Sequence, residues 1–493
     1  MNGPHSHRSH SQALLTDLYQ LTMAYGYWKS GNESREAVFH VFFRKQPFKG
    51  GFSIACGLHD AIEYLQTLAF TGDDLAYLAT LTGGDGKPLF EAGFFDHLRT
   101  LRWSCDLDAV PEGTAVFPHE PLLRVQGPLL QCQIVETAPL NLLNFQTLIA
   151  TKAARICLAA KGDPVLEFGL RRAQGVDGAI TASKAAYIGG CAATSNVLAG
   201  HRFGIPVRGT QAHSWIMSFD SEKEAFQAFA EAMPNNMIFL VDTYNTLHGV
   251  ARAIEVGRAM RHRGHELGGI RLDSGDLAYL SIEARRMLDE AGFPKASIFA
   301  SNDLDEYTIA SLKEQGAAID MWGVGTKLVT AYDQPALGGV YKLSALRGEG
   351  GAWKHKIKLS EQTSKISIPG IQQIRRFRLD GAIIGDMVYD LDAPVADDRV
   401  IVDRADPTRR KSIPDHAEYE DLLLPIFRRG KLVYEPPTLA SVRDRVQAQL
   451  ASLHEGHKRF LNPHEYPVGL SPQLYDLRAR LIREARDEGA GPR

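Results

Sequence analysis

Residues 237–276 read MIFLVDTYNTLHGVARAIEVGRAMRHRGHELGGIRLDSGD. A short apolar run ends at Asp242, a stretch of helical periodicity follows, and a second apolar run ends at Arg271 and Asp273. The same unit recurs on both sides. VLEFGLRR starts at Val165, IPVRGTQAH at Ile205, SIFASNDLDE at Ser297 and AIDMWGVGTK at Ala318, with helical stretches such as SKAAYIGGCAATSNVLAG, SEKEAFQAFAEAM and DEYTIASLKEQG between most of them. Asp242, Asp273 and Asp303 fall 31 and 30 residues apart, about one strand plus one helix. Parallel strands with right-handed crossovers would place all of these polar strand ends on one face. The expectation is an α/β chain built on an irregular (β/α) barrel, although a doubly wound open sheet gives a similar string. In both architectures the site lies at the carboxyl ends of the strands.

Outward from this core, residues 13–136 predict an N-terminal α+β domain: a helix in TDLYQLTMAYGYWKSG, a strand in AVFHVFFRK, a helix in GLHDAIEYLQTL, then short strands between Pro111 and Val135. The barrel is assigned to 137–345, opened by the apolar helix NLLNFQTLIATKAARICLAA. Residues 346–493 turn basic and irregular, then β-rich, then helical; they form either a third, C-terminal module or a return of the chain to the first domain. MNGPHSHRSHSQ, residues 1–12, reads as a disordered tail, its His5, His7 and His10 lacking any apolar anchor.

Composition excludes several classes of function. The 493 residues carry Lys+Arg 55 against Asp+Glu 58, net −3, with no sustained basic surplus for nucleic acid. No run of ~18 apolar residues is available to span a membrane, and no apolar signal region opens the chain. The five cysteines (Cys56, Cys105, Cys132, Cys157, Cys191) are odd in number and contain no C-x-x-C pair, so reduced thiols in a cytoplasmic protein are expected rather than a disulfide framework.

Four motifs carry chemistry. RLDSGD brings Arg271 beside Asp273 and Asp276, with small Ser274 and Gly275 between; such a turn grips a ribose diol or hydrated Mg²⁺ while Arg271 meets an anion, or else forms a strand-end salt bridge and a helix N-cap. WGVGTK offers Gly323, Gly325, Thr326 and Lys327 either as a plain turn or as a phosphate cradle. GTQAHSW holds His213 between Thr210 and Ser214, as a structural imidazole or as an acid, base, nucleophile or phosphate contact. FGLRRAQG adds Phe168 as a stacking surface and Arg171 and Arg172 as cations. No G-x-S-x-G, G-x-x-x-x-G-K-[ST], H-E-x-x-H or post-strand G-x-G-x-x-G competes. The residues alone point to an enzyme handling a phosphorylated sugar and a second anion.

Together, TDLYQLTMAYGYW, FFRKQPF, GLRRAQG, YIGGCAATSNVLAG, GTQAHSW, LVDTYNT, IRLDSGDL, SNDLDE, VGTKL and PALGGVYKL resemble the nicotinate phosphoribosyltransferase family, in order from about Leu14 to Ser367. The resemblance implies an N-terminal α/β domain on an irregular barrel and a cytoplasmic homodimer with active sites at the subunit interface. It further implies formation of nicotinate mononucleotide and diphosphate from nicotinate and 5-phosphoribosyl 1-diphosphate, with Mg²⁺ and coupled ATP hydrolysis (a ligase-type reaction), in NAD salvage. By motif, Tyr19 (of the neighbouring subunit) and Phe168 would sandwich the pyridine, and Thr210 and Arg271 would hold its carboxylate. His213 would be the phosphohistidine. Asp242 and Asp273 would lie beside ribose and Mg²⁺. Arg171, Ser274, Gly275, Asn302, Asp303, Gly323, Gly325 and Thr326 would surround the phosphoribosyl diphosphate. Two alternatives remain: a nicotinamide-using transferase, in which a carboxylate is expected where neutral Asn196 stands, and a non-catalytic nucleotide-binding barrel.

Overall fold

The computed structural model describes residues 12–348, 350–362, 365–393 and 399–489; all but the last residue of the expected tail lies outside them. Contacts divide the chain into two units: residues 1–147, 336–438 and 448–493 form the first, and residues 148–335 with 439–447 the second.

The second unit contains six parallel strands, β1 (Val165–Glu167), β2 (Ala193–Thr194), β3 (Ile238–Leu240), β4 (Gly269–Leu272), β5 (Ser297–Ala300) and β6 (Met321–Val324). They are ordered β2-β1-β6-β5-β4-β3. Successive strands are neighbours and the last, β6, pairs with the first, β1, as barrel winding requires; a doubly wound sheet instead reverses direction partway. The ladder opens only between β2 and β3. There the run at Ile205, expected as a full strand, contributes a single parallel bridge from Val207 to Thr194, because Pro206 has no N–H to donate. Pro206 still accepts from Thr194 N at 3.0 Å. The gap toward β3 is crossed by Gln211 Nε2 donating to the Ile238 carbonyl at 3.3 Å. A second difference lies in SKAAYIGGCAATSNVLAG, read as one helix: it is the end of helix Gly175–Ile188, then β2, then helix Val197–Phe203. Gly190, at φ +121°, turns the chain between the first two.

The crossover helices pack tightly on this sheet. A Cβ on Gly249, in helix Thr246–Arg261, would stand 2.0 Å from the Val241 carbonyl oxygen, so only glycine lets that helix approach the end of β3. Lys152 and Arg155 on helix Thr137–Ala159 are buried and both reach Glu306, at 2.7 and 2.8 Å, so these cations serve the scaffold.

In the first unit, strand Glu36–Phe42 lies between Leu123–Pro128 and Val340–Arg347 in a seven-stranded sheet. Strand Val340–Arg347, which crosses the boundary at 345 where the barrel was expected to end, therefore belongs to this unit. Strand Leu424–Arg428 joins the same sheet beside Asp106–Ala109. A separate six-stranded sheet is built around the hairpin Gln372–Leu379/Ala382–Asp390, whose turn residues Asp380 and Gly381 both have positive φ, the backbone that an Asp-Gly turn favours. Among the described residues all five cysteines are free and no helix is long and apolar enough to cross a membrane.

Candidate active site

A cavity of about 480 Å³ opens at the carboxyl ends of the parallel strands. Its lining includes Phe168, Arg171, Thr210, Arg271, Asp273, Asn302, Asp303, Gly323, Gly325 and Thr326, residues singled out from five separate stretches of sequence. Arg172, Ser195, Gln211 and Ser301 line it too.

Arg271 is the hub. It is the third residue of β4 and is only partly exposed, and its guanidinium spreads over four partners: Ser301 Oγ at 2.9 Å, Thr210 Oγ1 at 3.3 Å, the Gln211 carbonyl at 3.3 Å and Asp273 Oδ1 at 3.2 Å. The cation also stands 5.8 Å from the Phe168 ring centroid. Ser301 Oγ donates in turn to Asp273 Oδ1, so a buried serine at the end of β5 ties cation to carboxylate. Ser301 was missed in the sequence; its signal was its place just before Asn302 in SNDLDE.

Behind Asp273, the Asp242 carboxylate accepts from Asp273 N at 2.8 Å and from Ser274 Oγ at 2.7 Å. Its other oxygen, Oδ1, is buried without a hydrogen-bond partner. His213 opens a short helix beside the cavity, its Nε2 3.7 Å from Asp273 Oδ2 and its Nδ1 3.1 Å from Thr243 Oγ1. Glu222, only partly exposed, is pushed up to about 7 by burial; Arg252 opposes the rise and the Asp242 charge adds to it.

The walls are held by Glu167, which lies outside the expected set, and by Gly323 and Asn302, which lie within it. Glu167 at the end of β1 is fully buried; it accepts from Gly169 N, from Ser183 Oγ at 2.8 Å and from Thr194 Oγ1 at 2.6 Å, fixing the turns that carry Phe168 and Ser195. A Cβ on Gly323 would come within 2.8 Å of the Phe168 ring, so this glycine makes room for an aromatic wall. Asn302 holds φ +126°, a costly backbone for a residue with a side chain and one that clusters at functional loops.

Other expected residues stand elsewhere. Asp276 caps helix Leu277–Glu290 through Tyr279 N at 3.1 Å. Ser274 and Gly275 are exposed beside the cavity without lining it. Lys327, considered for a phosphate, instead pairs with Asp305 at 2.7 Å. Burial alone would raise the Asp305 carboxyl, but Lys327 and the Thr308 N–H outweigh it and hold it below its usual range. Asn196 is buried, capping helix Val197–Phe203 through Ala199 N and donating to Ser183 Oγ at 3.1 Å; the residue of that turn that meets the cavity is Ser195. Tyr19 lies on helix Leu18–Lys29 of the first unit, 48% exposed, and is not among the lining residues.

Comparison with known proteins gives a consistent result. Three family profiles match: nicotinate phosphoribosyltransferase (NAPRTase) N-terminal domain over residues 14–144, nicotinate phosphoribosyltransferase (NAPRTase) family over 164–365, and nicotinate phosphoribosyltransferase C-terminal domain over 372–478. The chain is 44% identical over 480 residues to a nicotinate phosphoribosyltransferase of Bacillus subtilis, covering 97% of this chain and 96% of that one. It is 38% identical over 540 residues to one of Caenorhabditis elegans, covering 97% and 94%. Its fold is similar to the crystal structure of human nicotinic acid phosphoribosyltransferase, with TM-score 0.82 and 33% identity over 94% of this chain and 99% of that one.

Proposed function

The chain belongs to the nicotinate phosphoribosyltransferase family, and from that premise we propose how this chain's residues divide the reaction, that ATP hydrolysis is coupled to it in the ligase manner, and that the enzyme works in the cytoplasm as a homodimer. The observation that carries the reading is Arg271, a cation at the cavity wall whose neighbours are a hydroxyl, an aromatic ring and an aspartate.

Nicotinate rests on Phe168 with its carboxylate toward the Arg271 guanidinium and the Thr210 hydroxyl, a charge-assisted arrangement suited to an acid rather than an amide. That favours nicotinate over nicotinamide on the cation itself, because Asn196 faces away into its own helix cap. The ring nitrogen then forms a bond to the anomeric carbon of 5-phosphoribosyl 1-diphosphate as the bond to diphosphate breaks. The ribosyl centre becomes oxocarbenium-like, and Asp273, fixed by Arg271 and Ser301, presents negative charge beside it. Gly323, Gly325 and Thr326 surround the 5-phosphate while Arg171 meets the phosphate or diphosphate end. Asn302, Asp303, Ser274 and Gly275 complete the donor site.

The unpartnered Asp242 Oδ1 suits a cation, and no group of three protein ligands is clustered among the described residues. Asp242 or Asp273 would hold Mg²⁺, one or two carboxylates being enough for an ion that keeps much of its water. When bound, Mg²⁺ neutralises charge on the departing diphosphate. His213, held by Thr243 on one nitrogen and near Asp273 on the other, carries the phosphoryl group from ATP.

His213→Ala should abolish the stimulation by ATP and leave some ATP-independent transfer, measured as nicotinate mononucleotide formed with and without ATP. Equal stimulation in variant and parent removes His213 from that role. No product from either nicotinate or nicotinamide would leave a non-catalytic nucleotide-binding barrel. In the dimer, Tyr19 of the partner subunit covers the ring. Co-expressed Tyr19→Ala and Arg271→Ala chains should then recover about a quarter of the parent's sites, since half the random dimers are mixed and each has one intact pocket.

A further inference from the structure

Tyr19, in helix Leu18–Lys29 of the first unit, is half-exposed, yet its hydroxyl is held from two sides. Gln20 Nε2 donates to the phenol oxygen at 3.3 Å, and the phenol donates in turn to the Glu136 carboxylate. Burial, then the Glu136 charge and that hydrogen bond, push the phenol up to about 12, so it stays protonated and remains a donor.

Neither holder is free to turn. Gln20 is completely buried, and its Oε1 accepts from Thr16 Oγ1 at 2.6 Å and from Asp17 N at 2.7 Å, which fixes the other end of the amide as the donor. Besides Tyr19, that donor reaches Thr137 Oγ1 at 2.8 Å, and Thr137 Oγ1 donates onward to Asp17 Oδ2 at 2.7 Å. Gln133 Nε2 donates to Glu136 Oε2 at 2.8 Å. Residues 16–20 are thereby tied to residues 133–137, and the phenol sits where the two segments meet. Capping of helix Leu18–Lys29 accounts for Gln20 Oε1 but not for its Nε2 or for Glu136. Among the described residues no cation stands within ion-pair distance of Glu136, Lys342 interacting with it only from farther off. A surface tyrosine free to swing would lose rotamer freedom on meeting a ligand, whereas one already fixed by its polar end loses little.

We propose that Gln20 and Glu136 are positioning residues that fix the Tyr19 ring for the nicotinate of the neighbouring subunit's pocket. The proposal rests on the reading that places Tyr19 of the partner subunit over the pyridine, and adds the groups that set its plane before nicotinate arrives. Neither residue lines the cavity, so both act through Tyr19.

The test is steady-state kinetics of the full-length enzyme. Glu136→Ala and Tyr19→Phe should each raise the Michaelis constant for nicotinate about three- to tenfold, as for one lost hydrogen bond, and leave kcat and the constant for 5-phosphoribosyl 1-diphosphate within about twofold. The Tyr19→Phe/Glu136→Ala double variant should rise no further than either single one, because without a hydroxyl Glu136 has nothing to hold. Glu136→Gln keeps an acceptor and should recover most of the loss. Gln20→Ala should act in the same direction as Glu136→Ala; if it fails to fold, the partly exposed Glu136 still carries the test. An unchanged nicotinate constant in Tyr19→Ala overturns the placing of Tyr19 over the ring, and the proposal with it. A rise in Tyr19→Ala overturns the positioning alone if Glu136→Ala is parent-like, if the effects multiply in the double variant, or if Glu136→Ala raises the constants for both substrates equally.

Discussion

Two arginine–aspartate pairs, one in each unit, use the same chemistry to opposite ends. Arg376 and Asp386 are completely buried, 2.5 Å apart. Gln449 accepts from Arg376 Nη1 at 2.9 Å and the Tyr466 hydroxyl donates to Asp386 Oδ1 at 2.9 Å. The neighbouring Glu120 is completely buried as well, and burial, then Asp386, push its carboxyl well up. Arg271 and Asp273 are 3.2 Å apart, with 17% and 32% of their side chains exposed. Their partners are spread thinly, and the carboxylate behind them keeps an unused oxygen. A closed pair holds a sheet together; an open one with spare valence is arranged to receive something else.

The comparison makes graded predictions. Asp386→Ala strands a buried guanidinium and should lower unfolding free energy by about 3–5 kcal/mol, read from denaturant midpoints, whereas replacing both partners with apolar residues should recover much of the loss. A cost under ~1 kcal/mol would show that this pair is less closed than its geometry suggests.

Arg271→Ala should act on substrate and scarcely on stability. Losing a charge-assisted contact worth about 1.5–3 kcal/mol raises the Michaelis constant for nicotinate roughly ten- to a hundredfold. A selective rise for the sugar donor would move Arg271 to the phosphates.

Glu222 tests the open region by pH. Its folded value of about 7 lies above the ordinary 4.5, so the folded chain binds this proton more tightly and its stability falls as pH rises between those values. Glu222→Gln should therefore be more stable than the parent above pH 7 and lose that advantage toward pH 4.5; screened by partial exposure, the gain is below about 1 kcal/mol. The same advantage at both ends of the range would detach the effect from titration.

The smallest effect belongs to Lys327→Ala, which should cost about 0.5 kcal/mol or less through its partly exposed pair with Asp305 and leave the Michaelis constant for 5-phosphoribosyl 1-diphosphate within twofold. A large rise in that constant would return Lys327 to the phosphate.

What the chain's sequence determined by itself was local or periodic. The strand-helix repeat that spaces the acids at 242, 273 and 303 is periodic, and the cap at Asp276 rests on residues a few positions apart, whose preferences act before any tertiary contact forms. Tertiary structure decided what depends on facing and on distant partners. Whether Ser195 or Asn196 meets the cavity turns on a one-residue alternation that Glu167 sets from another strand. Lys327 found Asp305, Ser301 came between Arg271 and Asp273, and Val340–Arg347 paired with a strand some 300 residues earlier. Each of these choices is a competition among side chains brought together only by packing, so composition and spacing carry no record of who wins.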